Sequence, residues 1–194
     1  MNGGAWRTTD YGRTWNPIFD GQPSGSIGAL AVAPSDPNII YIGSGEGLQR
    51  PDLSTGDGIY KSTDAGKTWS HLGLEETHHI GRIAIDPRNP DIVFVAAIGK
   101  LYSASEQRGV FRSTDNAVSW TAVSTGLGTQ SAFSLALKGT TLFAGTRRGR
   151  AALASGGAGV GCKFALRKEC GYLVRPPEGR RQTMTSVSEI PVSL

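Results

Sequence analysis

Cysteine is nearly absent from this chain. Only Cys162 and Cys170 occur in 194 residues, and neither sits in a CxxC pair or beside a histidine at zinc-ligand spacing. Residues 1–146 contain none, so cysteine usage gives no reading of the redox compartment there. No run of 18 apolar residues exists, which excludes a helical membrane span. No basic-then-apolar stretch follows Met1, so no signal peptide is expected. Aromatic residues make up 8% and apolar residues 38%, a lean supply for a packed core, and helical periodicity is missing throughout. Basic charge is scarce where the chain is regular. Residues 1–146 hold 11 Lys and Arg against 13 Asp and Glu, a net of −2, whereas residues 147–194 hold 9 against 3, a net of +6. A nucleic-acid partner requires basic residues clustered on a folded face, so none is expected.

Glycine and turn residues are plentiful, with 27 Gly and 10 Pro, and this favours an all-β architecture. A nonapeptide recurs as RTTDYGRTW from position 7, KSTDAGKTW from position 61 and RSTDNAVSW from position 112. Its aspartates, Asp10, Asp64 and Asp115, are spaced by 54 and 51 residues. A second element keeps the same period: IGALAVAPSDPNIIYIG from position 27, IGRIAIDPRNPDIVFVA from position 80, and the shortened FSLALKGTTLFAG from position 133. Two independent motifs sharing one period of about 50 residues predict the four-stranded blades of a β-propeller.

Each unit reads as four antiparallel strands. In one, IGRIAI is the inner strand, DPRNP a turn, DIVFVAA a doubly buried strand, GVFRS the third strand and WTAV the start of the fourth. The expected units are a partial blade over 1–20, blades over 27–72 and 80–123, and a partial blade over 131–146, with an irregular or disordered basic tail over 147–194. The period is lost in mid-blade at about Arg147, the pattern expected of a shifted reading frame or a disordered tail. Antiparallel order places the Asp-Pro turns and the nonapeptide turns at one end. The long loops 43–58 and 73–79 lie at the other, where binding residues usually sit on such a scaffold.

Every nonapeptide residue has a mechanical use. Asp64 can accept backbone N–H groups of its own turn. Ser62 and Thr68 can bond across the hairpin neck, Gly66 suits a positive φ, and Trp69 can seal the turn while its indole N–H seeks an acceptor. A calcium loop needs several oxygen ligands and a distal Glu, and hydrolysis needs a carboxylate pair; each copy offers one carboxylate. The motif is therefore read as scaffold.

The pattern resembles the Asp-box, or BNR repeat, Ser/Thr-x-Asp-x-Gly-x-Thr-Trp. Thr8, Asp10, Gly12, Thr14 and Trp15 match it, as do Ser62, Asp64, Gly66, Thr68 and Trp69. The third copy keeps Ser113, Asp115, Ser119 and Trp120 but has Ala117 at the glycine position. Residues 3–146 are similar to sortilin-like and glycosyl-hydrolase-like BNR propellers of large bacterial proteins. That resemblance implies structural Asp-boxes and a secreted or periplasmic setting. The family also includes sialidases, whose three convergent arginines and Tyr–Glu pair are not assembled here, and xyloglucan hydrolases, whose cleft lies between two propellers.

Glu46, Asp57, His78 and His79 map to the loop end, and Arg82 lies on an inner strand that could point toward a central channel. These five form the candidate binding face. Carboxylates beside imidazoles could bind a metal or exchange protons, but adjacent histidines diverge, so no metal and no cofactor are expected. Packing of His79, a turn role for Asp57 and solvation of Glu46 are the alternative. The expected function is a non-catalytic binding or scaffold module for a protein or glycan partner; the other reading is a fragment of a secreted glycoside hydrolase. About three blades leave open edges, through which self-association is expected.

Overall fold

The structure, a computed structural model, describes residues 3–47, 53–103, 105–123, 130–139 and 141–146, together with the backbone of 151–155 and 163–165. Among the described residues it is all-β apart from one 3-10 turn at Glu75–Thr77. A leading pair, β1 (Trp6–Arg7) and β2 (Asn16–Pro17), is followed by three four-stranded antiparallel sheets. The first sheet contains β3 (Ile27–Ala33), β4 (Asp36–Ser44), β5 (Ile59–Ser62) and β6 (Ser70–His71). The second contains β7 (Ile80–Asp86), β8 (Asn89–Ala97), β9 (Gly109–Ser113) and β10 (Thr121–Ala122). The third contains β11 (Ala132–Lys138), β12 (Thr141–Thr146), β13 (Ala151–Ser155) and β14 (Lys163–Ala165). Strand order within each sheet follows the sequence, as in propeller blades.

The repeat explains the architecture residue by residue. In β8 the run from Ile92 to Ala97 is buried on both faces, because sheets stack on either side. Its alternate side chains divide between two cores. Val93, Val95 and Ala97 pack with Tyr41 and Ile59 of the first sheet, while Ile92, Phe94 and Ala96 pack with Leu135, Leu142 and Ala144 of the third. The β3–β4 and β7–β8 turns are tied by their own side chains. Asp36 Oδ1 accepts Asn38 N at 2.9 Å, and Asp86 Oδ1 accepts Arg88 N at 2.9 Å.

Beyond residue 146, where an irregular or disordered tail is expected, β13 pairs with β12 through Leu142↔Ala154 and Phe143↔Leu153, and β14 pairs with β13. The short apolar run AALAS satisfies the N–H and C=O groups that β12 would otherwise leave unpaired. The expectation for the rest of residues 147–194, Cys162 and Cys170 included, lies outside the described residues.

Candidate functional site

The three nonapeptides fold alike. Asp64 Oδ1 accepts Ser62 Oγ at 2.8 Å and the backbone N–H groups of Lys67 and Thr68, both at 2.9 Å, while Oδ2 accepts Thr68 Oγ1 at 2.7 Å. Ser62 and Thr68 therefore meet on the aspartate, not across the hairpin neck. Asp10 takes the same four bonds from Thr8, Arg13 and Thr14. Asp115 accepts from Ser113 and Ser119. Hydrogen bonds to the ionised form lower a carboxyl pKa. The Thr14 backbone and hydroxyl bring Asp10 to about 2, and the Ser119 hydroxyl and backbone bring Asp115 to about 2. Asp64 is held well below the ordinary carboxylate range by Thr68. The glycine position has φ +87° at Gly12 and +90° at Gly66, and Ala117 keeps the turn at +68° against its Cβ.

The tryptophans do more than seal their own turns. Trp69 Nε1 donates to Ile18 O at 2.6 Å, and Trp120 Nε1 to Leu72 O at 2.8 Å, each reaching the preceding unit. In return, the basic residue opening each of the first two motifs reaches forward. Arg7 Nη1 donates to Ala65 O at 2.9 Å, and Lys61 Nζ donates to Asn116 Oδ1. Both acceptors are the fourth residue of the next motif's Ser/Thr-x-Asp turn. Sequence reasoning gave this basic position no role, although its recurrence as Arg7, Lys61 and Arg112 was the available signal.

The structure brings Glu46, Asp57, His78 and His79 together, because the loop after β4 packs on the loop after β6. Gly56 N donates to His78 O at 2.7 Å, and a Cβ on Gly45 would stand 1.9 Å from that same carbonyl. Asp57 is committed to the fold: Oδ1 accepts Ser44 Oγ at 3.0 Å and Oδ2 accepts Tyr60 OH at 2.6 Å. His79 is 3% exposed and Glu46 is 9% exposed. Burial pushes the His79 imidazole pKa down, with His78 adding to the effect and Glu46 opposing it. Arg82 is set apart on β7, where it is exposed.

An exposed contact at this end escaped sequence reasoning. Glu76 Oε2 lies 2.8 Å from Lys100 Nζ and 3.7 Å from His78 Nε2, and Lys100 draws the Glu76 carboxyl pKa down. No three His, Cys, Asp or Glu residues group as metal ligands among the described residues. A cleft of about 430 Å³ opens at the motif end, between the leading pair and the first sheet, lined by Arg7, Asn16, Asp20, Lys67 and Trp69 among others.

Comparison with known proteins agrees with this geometry. A family model described as "Sortilin, neurotensin receptor 3" (Sortilin-Vps10) matches residues 3–149. A xyloglucanase of Paenibacillus sp is 31% identical over 63% of this chain and 13% of its own length. The xyloglucanase Xgh74A of Acetivibrio thermocellus is 30% identical over 62% of this chain and 15% of its own length. The chain thus spans about a seventh of these relatives. Among solved structures, a Niastella koreensis GH74 enzyme superposes with TM-score 0.53 at 20% identity, covering 77% of this chain and 24% of that one. An ancestral GH74 enzyme gives 0.55 at 20% identity over 72% and 18%. Repeat, joints and matched length agree: the chain belongs to the Sortilin-Vps10 family and is a BNR-propeller segment related to xyloglucanases.

Proposed function

We propose that this propeller segment is a non-catalytic recognition module that presents the loops after β4 and β6 to a glycan or protein partner. The observation that carries this reading is the state of Asp57, whose two carboxylate oxygens are both taken by Ser44 and Tyr60. Glycoside hydrolysis uses two carboxyl groups facing the scissile bond, one of which must exchange a proton. Glu46 is nearly buried, so Asp57 and Glu46 are not presented to a polymer as a carboxyl pair. Kinship with xyloglucanases makes xyloglucan the first ligand to test. A polymeric glycan does not cross membranes, so this reading places the protein outside the cytoplasm.

The second reading, a segment of a glycoside hydrolase, is favoured by the names of the relatives and by the small share of their length matched here. Calorimetric titration with xyloglucan oligosaccharides, beside an assay of reducing ends released from the polymer, separates the two. Saturable binding without new reducing ends is expected. Turnover abolished by both Asp57→Asn and Glu46→Gln, with the fold retained by circular dichroism, would establish the hydrolase instead.

A further inference from the structure

We infer that the cleft between the leading pair and the first sheet is a second ligand site, built for an acidic saccharide. It lies at the motif end, opposite the loops proposed above, and does not rest on that reading.

The cleft is preformed. Two joints fix its walls: Trp69 Nε1 donates to Ile18 O at 2.6 Å, and Arg7 Nη1 donates to Ala65 O at 2.9 Å. The segment after β2 and the turn of the second nonapeptide are thereby locked together. Gly66 brings the backbone of that turn against Ile18, where a Cβ would stand 2.8 Å from Ile18 Cδ1. The volume of about 430 Å³ lies within the about 300–1,000 Å³ usual for small-ligand sites. A fixed shape lowers the ordering cost of binding.

The polar side chains that line the cleft are uncommitted. Each nonapeptide aspartate spends both carboxylate oxygens on its own turn. By contrast, the side chains of Asn16, Asp20, Gln22 and Lys67 have no hydrogen-bond or ion-pair partner among the described residues. Asn16, Asp20 and Lys67 are exposed and Gln22 is half-buried. Four such side chains converge on one concave surface.

The lining selects the ligand. Arg7 and Lys67 set two cations against the one carboxylate of Asp20, a net of +1 within a regular region whose net charge is −2. The cleft therefore favours an anion. A bare sulfate would meet Asp20 as a like charge with no proton to donate to it. An acidic saccharide offers a carboxylate to Arg7 and Lys67. Its hydroxyls donate to Asp20 and exchange hydrogen bonds with the amides of Asn16 and Gln22. Pro17 and Trp69 supply apolar lining against which the C–H face of a sugar ring packs. The next joint lacks this set. Val118 stands at the position of Lys67, and the Asn116 amide there is taken by Lys61.

Titration calorimetry of the full chain with digalacturonate tests this, beside neutral galactobiose and tetraglutamate. Saturable digalacturonate binding is expected, about tenfold tighter than either comparison ligand and weaker as salt is raised. Lys67→Met should weaken it about tenfold, the effect of one lost charge-assisted bond. The far-ultraviolet spectrum and urea midpoint of that variant should be unchanged, since the third motif carries valine at this position. Asn16→Ala should weaken binding about fivefold. Lys100→Met, which removes an equal charge at the loop end, should leave binding unchanged. No saturation up to millimolar digalacturonate, equal affinity for galactobiose, tighter binding of tetraglutamate, or affinity indifferent to Lys67→Met and Asn16→Ala would overturn the proposal. Equal losses from Lys67→Met and Lys100→Met would overturn it as well.

Discussion

Asp10, Asp64 and Asp115 are working parts of the hairpins. Each carboxylate gathers donors from its own turn, and the ionised form is the one those donors hold. The consequence for stability has a definite sign. A carboxyl group whose pKa is depressed in the folded state adds stability above its unfolded value, and that contribution is lost as pH falls toward the folded value. For Asp10 and Asp115 the window runs from the ordinary 3.8 down to about 2. The urea midpoint should therefore fall between pH 4 and pH 2. Asp115→Asn should lower the midpoint at pH 7 and flatten the acid limb. A wild-type profile and a variant profile that run parallel through this window would contradict the assignment.

At the scale of elements, the tryptophan is the joint. Trp69 lies edge-on to Phe19 at 5.1 Å between ring centres and donates to Ile18 O, so it fastens the first sheet to the leading pair. Trp69→Phe should cost about 1–2 kcal/mol in urea unfolding, for the lost hydrogen bond and the smaller ring. A cost near zero would mean that the indole bond does not hold the joint. The strands themselves were legible in the sequence. Apolar runs such as DIVFVAA and the Asp, Gly and Trp punctuation mark local backbone needs, and local needs are written locally. The partner of Trp69 was not legible, because spacing shows that an indole recurs but not which carbonyl, 51 residues earlier, it meets. The strands β13 and β14 were missed for a related reason. AALAS has no alternation and no motif after it, and its pairing is set by the open edge of β12. The candidate face was legible as a place. The burial of Glu46 and His79 was not, because it depends on two loops closing over glycines that tolerate no Cβ.

Across the whole molecule, stability in such an array arises from units and from the contacts between neighbours. The basic residues that open the first two motifs, Arg7 and Lys61, extend the joint in the other direction. Lys61 is 6% exposed, stands over the Tyr41 ring at 5.3 Å and donates to Asn116 of the next sheet. The nonapeptide is thus a two-way coupling between sheets. A double-mutant cycle of Lys61→Met and Asn116→Ala tests this coupling most directly. Alanine is suited to the second position because Ala65 already holds the equivalent φ of +62° in the first sheet. Urea unfolding of the four proteins should give an interaction energy of about 0.5–3 kcal/mol between the two sites. Strictly additive effects would contradict the account.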